Sequence, residues 1–351
     1  MFHHWLILIS ITIMKIKIFG KFILLCFACL LWLGIASCSQ VNATSIPSQA
    51  TDLPTTKQAE TYFSSWNDPE NNETVQTIIN FVEGLSLPAE DRVAVFDNDG
   101  TLWGEFPYYY QAFFLDPDGD GEVDLHLGET TDDYIVAAHT FATTENNPAF
   151  ETPYVDLIYK PMVELLDYLR ANDFQVYICS GGEIDFIRGF AEEYYGIPPE
   201  NIIGSTFTTT FDETNAVLKR ASTPVEPIND GPGKAVGIER YIGKKPILAG
   251  GNSNGDFQMM QYTDDGPGPS PSLMLLLRHD DLDREQYEEQ DTGVDCSLND
   301  DGNPDNDVDD GPGTYCHINK AVDEVNSQDD WHFISVKNDF TKVFLGSDPL
   351  P

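Results

Sequence analysis

Val93-Ala94-Val95-Phe96-Asp97-Asn98-Asp99-Gly100-Thr101-Leu102-Trp103 is the stretch whose reading decides the fold. Four consecutive apolar residues closed by a turn signal read as a short strand buried in a sheet. Asp97 and Asp99 stand at the mouth of that strand. Two carboxylates so placed are costly unless they are paired or hold a cation. Gly100 lets the chain turn sharply behind them. The arrangement suits a nucleophilic acid and a proton-donating acid beside a hard metal ion. An Asp-rich turn after a strand is the alternative reading of this segment alone.

Three later segments change the balance. Val176-Tyr177-Ile178-Cys179 is a second apolar run, ending in Ser180-Gly181-Gly182. Lys234 lies in Gly231-Pro232-Gly233-Lys234, just before a helical stretch. Ile247-Leu248-Ala249 is a third run, followed by Gly250-Gly251-Asn252-Ser253-Asn254-Gly255-Asp256. Further strands are expected over 272–277 and 333–336, a hairpin over 205–220, and helices on Val75, Ile78, Ile79 and Val82 and on Met162, Leu165, Leu166 and Leu169. One more helix is expected from about Glu183 to Tyr195, stopping at Gly196. Strands alternating with helices imply an α/β fold, a parallel sheet with helices on both faces. Sites in such sheets gather at the carboxyl ends of the strands, where all four segments fall.

In this order the four segments resemble the motifs of the haloacid dehalogenase-like (HAD) hydrolase superfamily, over about residues 66 to 345, and in detail its phosphoserine phosphatase-like branch. The resemblance implies a Rossmann-like core over 66–102 and 161–345, with a small cap insert at 103–160. It implies a magnesium-dependent phosphomonoester hydrolase that works through an aspartyl-phosphate. Asp97 would be the nucleophile and Asp99 the general acid and base. Ser180, Gly181 and Lys234 would bind the phosphoryl oxygens, helped by the positive end of the helix behind Ser180. Mg²⁺ would be held by Asp97, the Asp99 carbonyl, Asn252 and Asp256. Asn252 departs from the commonest pattern, standing where many relatives have an acid. A dehalogenase is the less favoured enzyme reading, because Asp99 has no use there.

The insert carries the aromatic residues Phe106, Tyr108, Tyr109, Tyr110, Phe113 and Phe114, mostly expected to pack, with one or two lining the substrate pocket. Trp103 and Glu105 face either the substrate or the core. Asp116, Asp118, Asp120 and Asp124, with Gly121 at the sixth position, match the first half of a calcium loop. The twelfth position is Leu127 and no bidentate acid closes the loop. A structural Ca²⁺ site is the expectation carried from this match. A calcium-binding surface lipoprotein without catalysis is the alternative from another class.

The chain has 19 basic and 58 acidic residues, a formal net charge of −39. That excess argues against nucleic acid and anionic membrane surfaces as partners, while the resemblance implies a small phosphomonoester as the partner. Lys15, Lys17 and Lys21 precede an apolar run from Phe22 to Leu33 and then Ile35-Ala36-Ser37-Cys38. This layout reads as an export signal whose end resembles a lipoprotein processing site with Cys38 as the lipidated residue, with a plain signal peptide or a short membrane anchor as the alternative. Translation starts at Met1 or at Met14, which immediately precedes the basic residues. Residues 1–37 are read as signal, 38–65 as a flexible tether, and 280–316 as an acidic loop within the core. The protein is therefore expected to be exported and held to a membrane through its lipid alone. Cys296 and Cys316 flank the acidic loop, and in an exported protein they pair as a disulfide or stay as two thiols.

Replacing Cys38 with Ala is expected to move the protein from the membrane fraction to the soluble fraction, since dual acylation suffices for stable anchoring. A wild type that is already soluble, or a variant that stays in the membrane, overturns the lipid anchor.

Overall fold

The computed structural model describes residues 59–225, 228–264, 271–286 and 329–348. The signal segment, most of the tether, Cys38, Cys296, Cys316 and most of the acidic loop lie outside the described residues. Among the described residues, no helix is long and apolar enough to cross a membrane.

The strands are β1 (Val93–Phe96), β2 (Gln175–Glu183), β3 (Ile202–Asp212), β4 (Val217–Val225), β5 (Leu248–Gly251), β6 (Leu273–Arg278) and β7 (Trp331–Ser335). They form one sheet in the order β4-β3-β2-β1-β5-β6-β7. β3 and β4 pair antiparallel as the expected hairpin, and every other pairing is parallel. β1 therefore lies centrally between β2 and β5, with all four of its residues buried. Strands covered on both faces read as unbroken apolar runs, and for that reason 93–96 and 273–277 were visible in the sequence.

Alternate residues feed two cores. Ala94 and Phe96 point into one cluster, with Val75, Ile78, Ile79 and Val82 of helix α1 (Glu73–Gly84). Asn72 caps α1, its Oδ1 accepting from Val75 N at 2.9 Å. Val95 points the other way, into a cluster with Cys179, Ile203, Ala249 and Met274.

The insert holds α2 (Tyr110–Leu115) and α3 (Thr131–Thr144), and α4 (Lys160–Ala171) leads from it into β2. Tyr110, Phe114, Tyr134, Phe141 and Tyr154 of the insert belong to the same apolar cluster as β1 and α4. Tyr108 and Tyr109 stay partly exposed, at 44% and 38%. Tyr110 and Phe114 of the aromatic run are thus buried, as expected of the packing rings, and two others reach the surface.

The single helix expected over 183–195 is two short ones, α5 (Ile184–Arg188) and α6 (Ala191–Tyr195). Gly189 sits at the break because α3 passes close by. A β-carbon there would stand 2.8 Å from His139 N and 3.0 Å from Ile135 O. Tertiary packing overrides the helical pattern at that point, and Gly196, at φ +66°, ends α6 as expected.

The hairpin and the insert are joined by Arg220 of β4. Arg220 N donates to Glu129 O at 2.9 Å, and Gly128 N donates to Arg220 O at 3.0 Å. The buried guanidinium forks onto Glu183, Nη1 to Oε1 and Nη2 to Oε2, and lies 3.5 Å from the centre of the Tyr134 ring. Burial pushes the Glu183 carboxyl above its ordinary range, and the Arg220 hydrogen bonds oppose that push. Removing one partner of such a pair leaves a buried charge uncompensated. Arg220→Ala is therefore expected to lower unfolding free energy by roughly 3–5 kcal/mol, read as a lower urea midpoint. A midpoint within error of the wild type overturns the role given to this pair.

Candidate active site

β1, β2 and β5 are adjacent and parallel, so their carboxyl ends open on one edge of the sheet. Asp97 follows β1 directly, and its N–H donates to Gly250 O of β5 at 3.0 Å. The turn behind it is held by Asn98 O, which accepts from the N–H groups of Thr101, Leu102 and Trp103 at 3.1, 2.8 and 3.3 Å. Asn98 Oδ1 accepts from the Tyr195 hydroxyl at 3.1 Å. Gly100 has φ +68°, and a β-carbon there would lie 2.1 Å from Asn252 Nδ2 and 2.9 Å from Glu105 Cδ. The glycine is required twice over, by the backbone and by the approach of the β5 loop.

Lys234 occupies the first turn of α7 (Pro232–Tyr241), slightly inside the helix rather than ahead of it. A side chain on Gly233 would stand 1.9 Å from Ile228 O, so the chain passes bare at that contact and Lys234 is carried inward. Lys234 Nζ lies 2.8 Å from Asp97 Oδ1 and 2.5 Å from Asp256 Oδ1. All three side chains are buried. Burial lowers the Lys234 pKa, but Asp256 and Asp97 outweigh that and the ammonium is held above its ordinary value.

Asp256 is the brace of the β5 loop. Its Oδ2 accepts from Asn252 N at 2.9 Å, Ser253 N at 3.0 Å and Ser253 Oγ at 3.3 Å, while Oδ1 pairs with Lys234. Ser253 Oγ accepts in turn from Gly255 N at 3.1 Å, completing a capping box. Both Asp256 oxygens are engaged within the protein, so the geometry gives this acid the support of Lys234 and of the loop that carries Asn252.

Asp99 Oδ1 accepts from Trp103 Nε1 at 2.7 Å. Trp103 is buried, stacked on Phe190 with ring centroids 4.5 Å apart, which fixes the indole and through it the carboxylate. Burial pushes the Asp99 carboxyl up to about 6, with the Trp103 hydrogen bond opposing. An acid at that value is matched to giving and taking a proton near neutrality. Burial, then Asp256, raises Asp97 well above the carboxylate range, against the pull of Lys234. Cys179 on β2 is pushed up to about 12 by burial, which keeps it an inert thiol.

The glycine stretch of β2 brings the second motif to the same place. Ser180 is buried, and its Oγ accepts from Gly182 N at 3.0 Å. A β-carbon on Gly182 would stand 3.3 Å from Ser180 Oγ, 3.5 Å from Asp99 Oδ2 and 3.3 Å from Gln111 Oε1. Gln111 of α2 also accepts from Glu183 N at 2.9 Å, so the insert reaches the loop that carries Ser180. Asn229 Nδ2 and Ser205 Oγ hold Ser180 O and Gly181 O at 2.8 and 2.7 Å. β2 continues to Glu183, and α5 is only five residues long, beginning at Ile184. The helix end expected behind Ser180 is thus a single short helix that begins only at Ile184.

Asp97, Asp99, Ser180, Gly181, Lys234, Asn252 and Asp256 are therefore gathered at one edge of the sheet. The acidic stretch of the insert is not gathered in that way. Asp116 accepts from Asp120 N at 3.2 Å and Gly121 N at 2.9 Å, Asp120 from Glu122 N at 2.9 Å, and Asp124 from His126 N at 2.8 Å. Among the described residues no group of three or more His, Cys, Asp or Glu is grouped to hold a metal.

The oxygen atoms gathered at this edge of the sheet suit a hard cation. Asp97 and Asp256, both buried, share the single ammonium of Lys234, and the half-buried Asp99 adds a third acid two residues on. The Asp97 Oδ1 atom pairs with that ammonium without accepting a well-aligned hydrogen bond. Oxygen donors with an uncompensated charge are what a small divalent cation takes.

Three buried residues near Asn252 had no role in the sequence reading, or an undivided one. Glu105, His279 and Glu285 all touch its surroundings. His279 directly follows β6, and the carboxyl end of another parallel strand was the signal that pointed to it.

No protein-family model matches the chain, and no curated protein matches it in sequence. Solved structures do resemble it. A conserved protein of unknown function from Anaerococcus prevotii DSM 20548 is 15% identical, covering 63% of this chain and 89% of its own, with a TM-score of 0.43. A phosphoserine phosphohydrolase-like protein from Francisella tularensis subsp. tularensis SCHU S4 is 15% identical, covering 56% and 91%, with a TM-score of 0.32. A HAD family hydrolase from Salmonella enterica subsp. enterica serovar Typhi is 17% identical, covering 57% and 66%, with a TM-score of 0.31. The structural neighbours thus include proteins described as HAD hydrolases, at low identity.

Proposed function

We propose that this protein is a HAD-type, magnesium-dependent phosphomonoester hydrolase acting through an aspartyl-phosphate on Asp97. The observation that carries the reading is the buried Lys234 ammonium bridging Asp97 and Asp256, with Asp99 two residues on and Ser180 on the adjoining strand. In this reading the Asp97 carboxylate, the Asp99 carbonyl and Asn252 Oδ1 would hold the cation. The metal, when bound, supplies positive charge against the phosphoryl group and the incoming carboxylate.

An Asp97 oxygen attacks phosphorus and the bond to the leaving oxygen breaks. Asp99, protonated, gives its proton to that leaving oxygen and releases the alcohol. Asp99, now a carboxylate, takes a proton from water as the water attacks phosphorus, freeing phosphate and Asp97. Ser180 and the amides beside it bind the phosphoryl oxygens together with Lys234, and Trp103 holds Asp99 in line. A dehalogenase would leave Asp99 without a task, although Asp99 is one of the most carefully oriented side chains of the site. The export signal and the lipid on Cys38 complete the proposal, giving an enzyme tethered outside the cytoplasm that meets small phosphomonoesters there.

The test is p-nitrophenyl phosphate hydrolysis with and without Mg²⁺. Asp97→Asn is expected to lose turnover by roughly three orders of magnitude or more while keeping its fold. Asp99→Asn is expected to release a stoichiometric burst of p-nitrophenolate and then stall, because a good leaving group needs little acid help whereas the second step needs the base. Full activity in Asp97→Asn refutes the nucleophile. A wild type inert on a panel of phosphomonoesters with Mg²⁺ refutes the phosphatase.

A further inference from the structure

Asn252 brings an amide to a place where a carboxylate would add charge to a cation site, and its neighbours explain why. Its Nδ2 lies 3.4 Å from Glu105 Oε1 and 3.4 Å from His279 Nε2, while its Oδ1 accepts from Thr101 Oγ1 at 3.1 Å. His279 Nδ1 is 2.7 Å from Glu285 Oε1, which also accepts from the Tyr159 hydroxyl at 2.7 Å. Glu105, Asn252, His279, Glu285 and Tyr159 are each no more than 4% exposed.

These contacts are met when Glu285 accepts from both the Tyr159 hydroxyl and His279 Nδ1, with His279 Nε2 turned toward Asn252. Position 252 then faces two acceptors, the Glu105 carboxylate and the imidazole. An amide meets both by donating twice. A carboxylate in its place would face another carboxylate and a lone pair in a buried setting. The neutrality of Asn252 is thus imposed by Glu105, and a negative charge still stands at the loop, one side chain away. The contact is close to Asp99, since Asn252 Nδ2 and Glu105 Cδ together fill the space at Gly100.

We propose that Glu105 supplies, across the Asn252 amide, the negative charge that the magnesium site does not receive from position 252, and that His279 with Glu285 holds that amide in register. The inference rests on the reading of this edge as a magnesium site. Glu105 is a positioning and charge-balancing residue, and it and His279 both act through the Asn252 amide they contact.

Mn²⁺ titration of the full-length protein, followed by electron paramagnetic resonance of the free ion, tests the idea without relying on turnover. Glu105→Gln keeps the shape and removes the charge, and is expected to weaken Mn²⁺ binding by roughly 10–100-fold, the range typical of outer partners of metal ligands. Glu105→Asp keeps the charge and is expected to lose less. Asn252→Asp alone is expected not to tighten binding and to lower the melting temperature. The exchange of both, Asn252→Asp with Glu105→Gln, restores one acid and one amide and is expected to return affinity to within a few-fold of the wild type. It reads the same charge if the single Gln variant fails to fold. Glu105→Gln binding Mn²⁺ as tightly as the wild type overturns the inference while leaving the enzyme reading standing. Equal weakening in the single variants with no recovery in the exchange overturns it too. A wild type that binds neither Mn²⁺ nor Mg²⁺ removes the metal reading itself, and the inference falls with it.

Discussion

The ammonium of Lys234 is the charge around which the site is built. A lysine almost fully removed from water is tolerated only with partners, and here it has two, Asp97 at the end of β1 and Asp256 in the loop after β5. The ion triplet therefore fixes three separate pieces of backbone relative to one another: the mouth of the central strand, the first turn of α7 and the loop that follows β5. Each piece has a glycine where the approach is closest. Gly100 makes room for Asn252, Gly233 for Ile228 O, and Gly251 for Asp256, whose Cβ would be 2.5 Å from a side chain there. The positions of these glycines follow from the closeness of the charges.

The use of scarce cations extends the same logic. The sequence has 19 Lys and Arg against 58 acids, a surplus that keeps the surface strongly negative. Two of the few bases are nonetheless sent inside, Lys234 to Asp97 and Asp256, and Arg220 to Glu183. Both meet acids that burial would otherwise drive toward protonation. A chain this acidic has ample anions for its surface, so its internal charge balance is decided by where a handful of bases go.

Local pattern carried much of the architecture into view. Apolar runs ending in small or acidic residues marked β1, β2 and β5, because a central parallel strand must be apolar on both faces. The four motif segments were readable for the same reason, since each follows such a strand or opens a helix. The break at Gly189 was not readable, because it depends on how closely α3 passes, which no local pattern records. The same holds for the Glu105, Asn252, His279 and Glu285 network. Its members come from the insert, the β5 loop and the end of β6, with the first two 147 positions apart in sequence, and only the folded chain brings them together. Trp103 was seen but its use was not, since an indole donor to Asp99 is a matter of ring orientation rather than of residue type.

The insert shares one apolar cluster with β1 and α4, and Arg220 fastens it to the hairpin. Swinging it away as a rigid flap would expose Tyr110, Phe114, Tyr134, Phe141 and Tyr154 together, a large loss of buried aromatic surface. The insert is therefore not built to hinge as a separate domain, and Tyr108 and Tyr109 are the exposed rings of its aromatic run. Rotamer changes of exposed rings take nanoseconds or less, whereas domain hinges move over microseconds to milliseconds. An insert built in this way leaves adjustment near this edge of the sheet to the fast rotation of single side chains rather than to the slow movement of a domain.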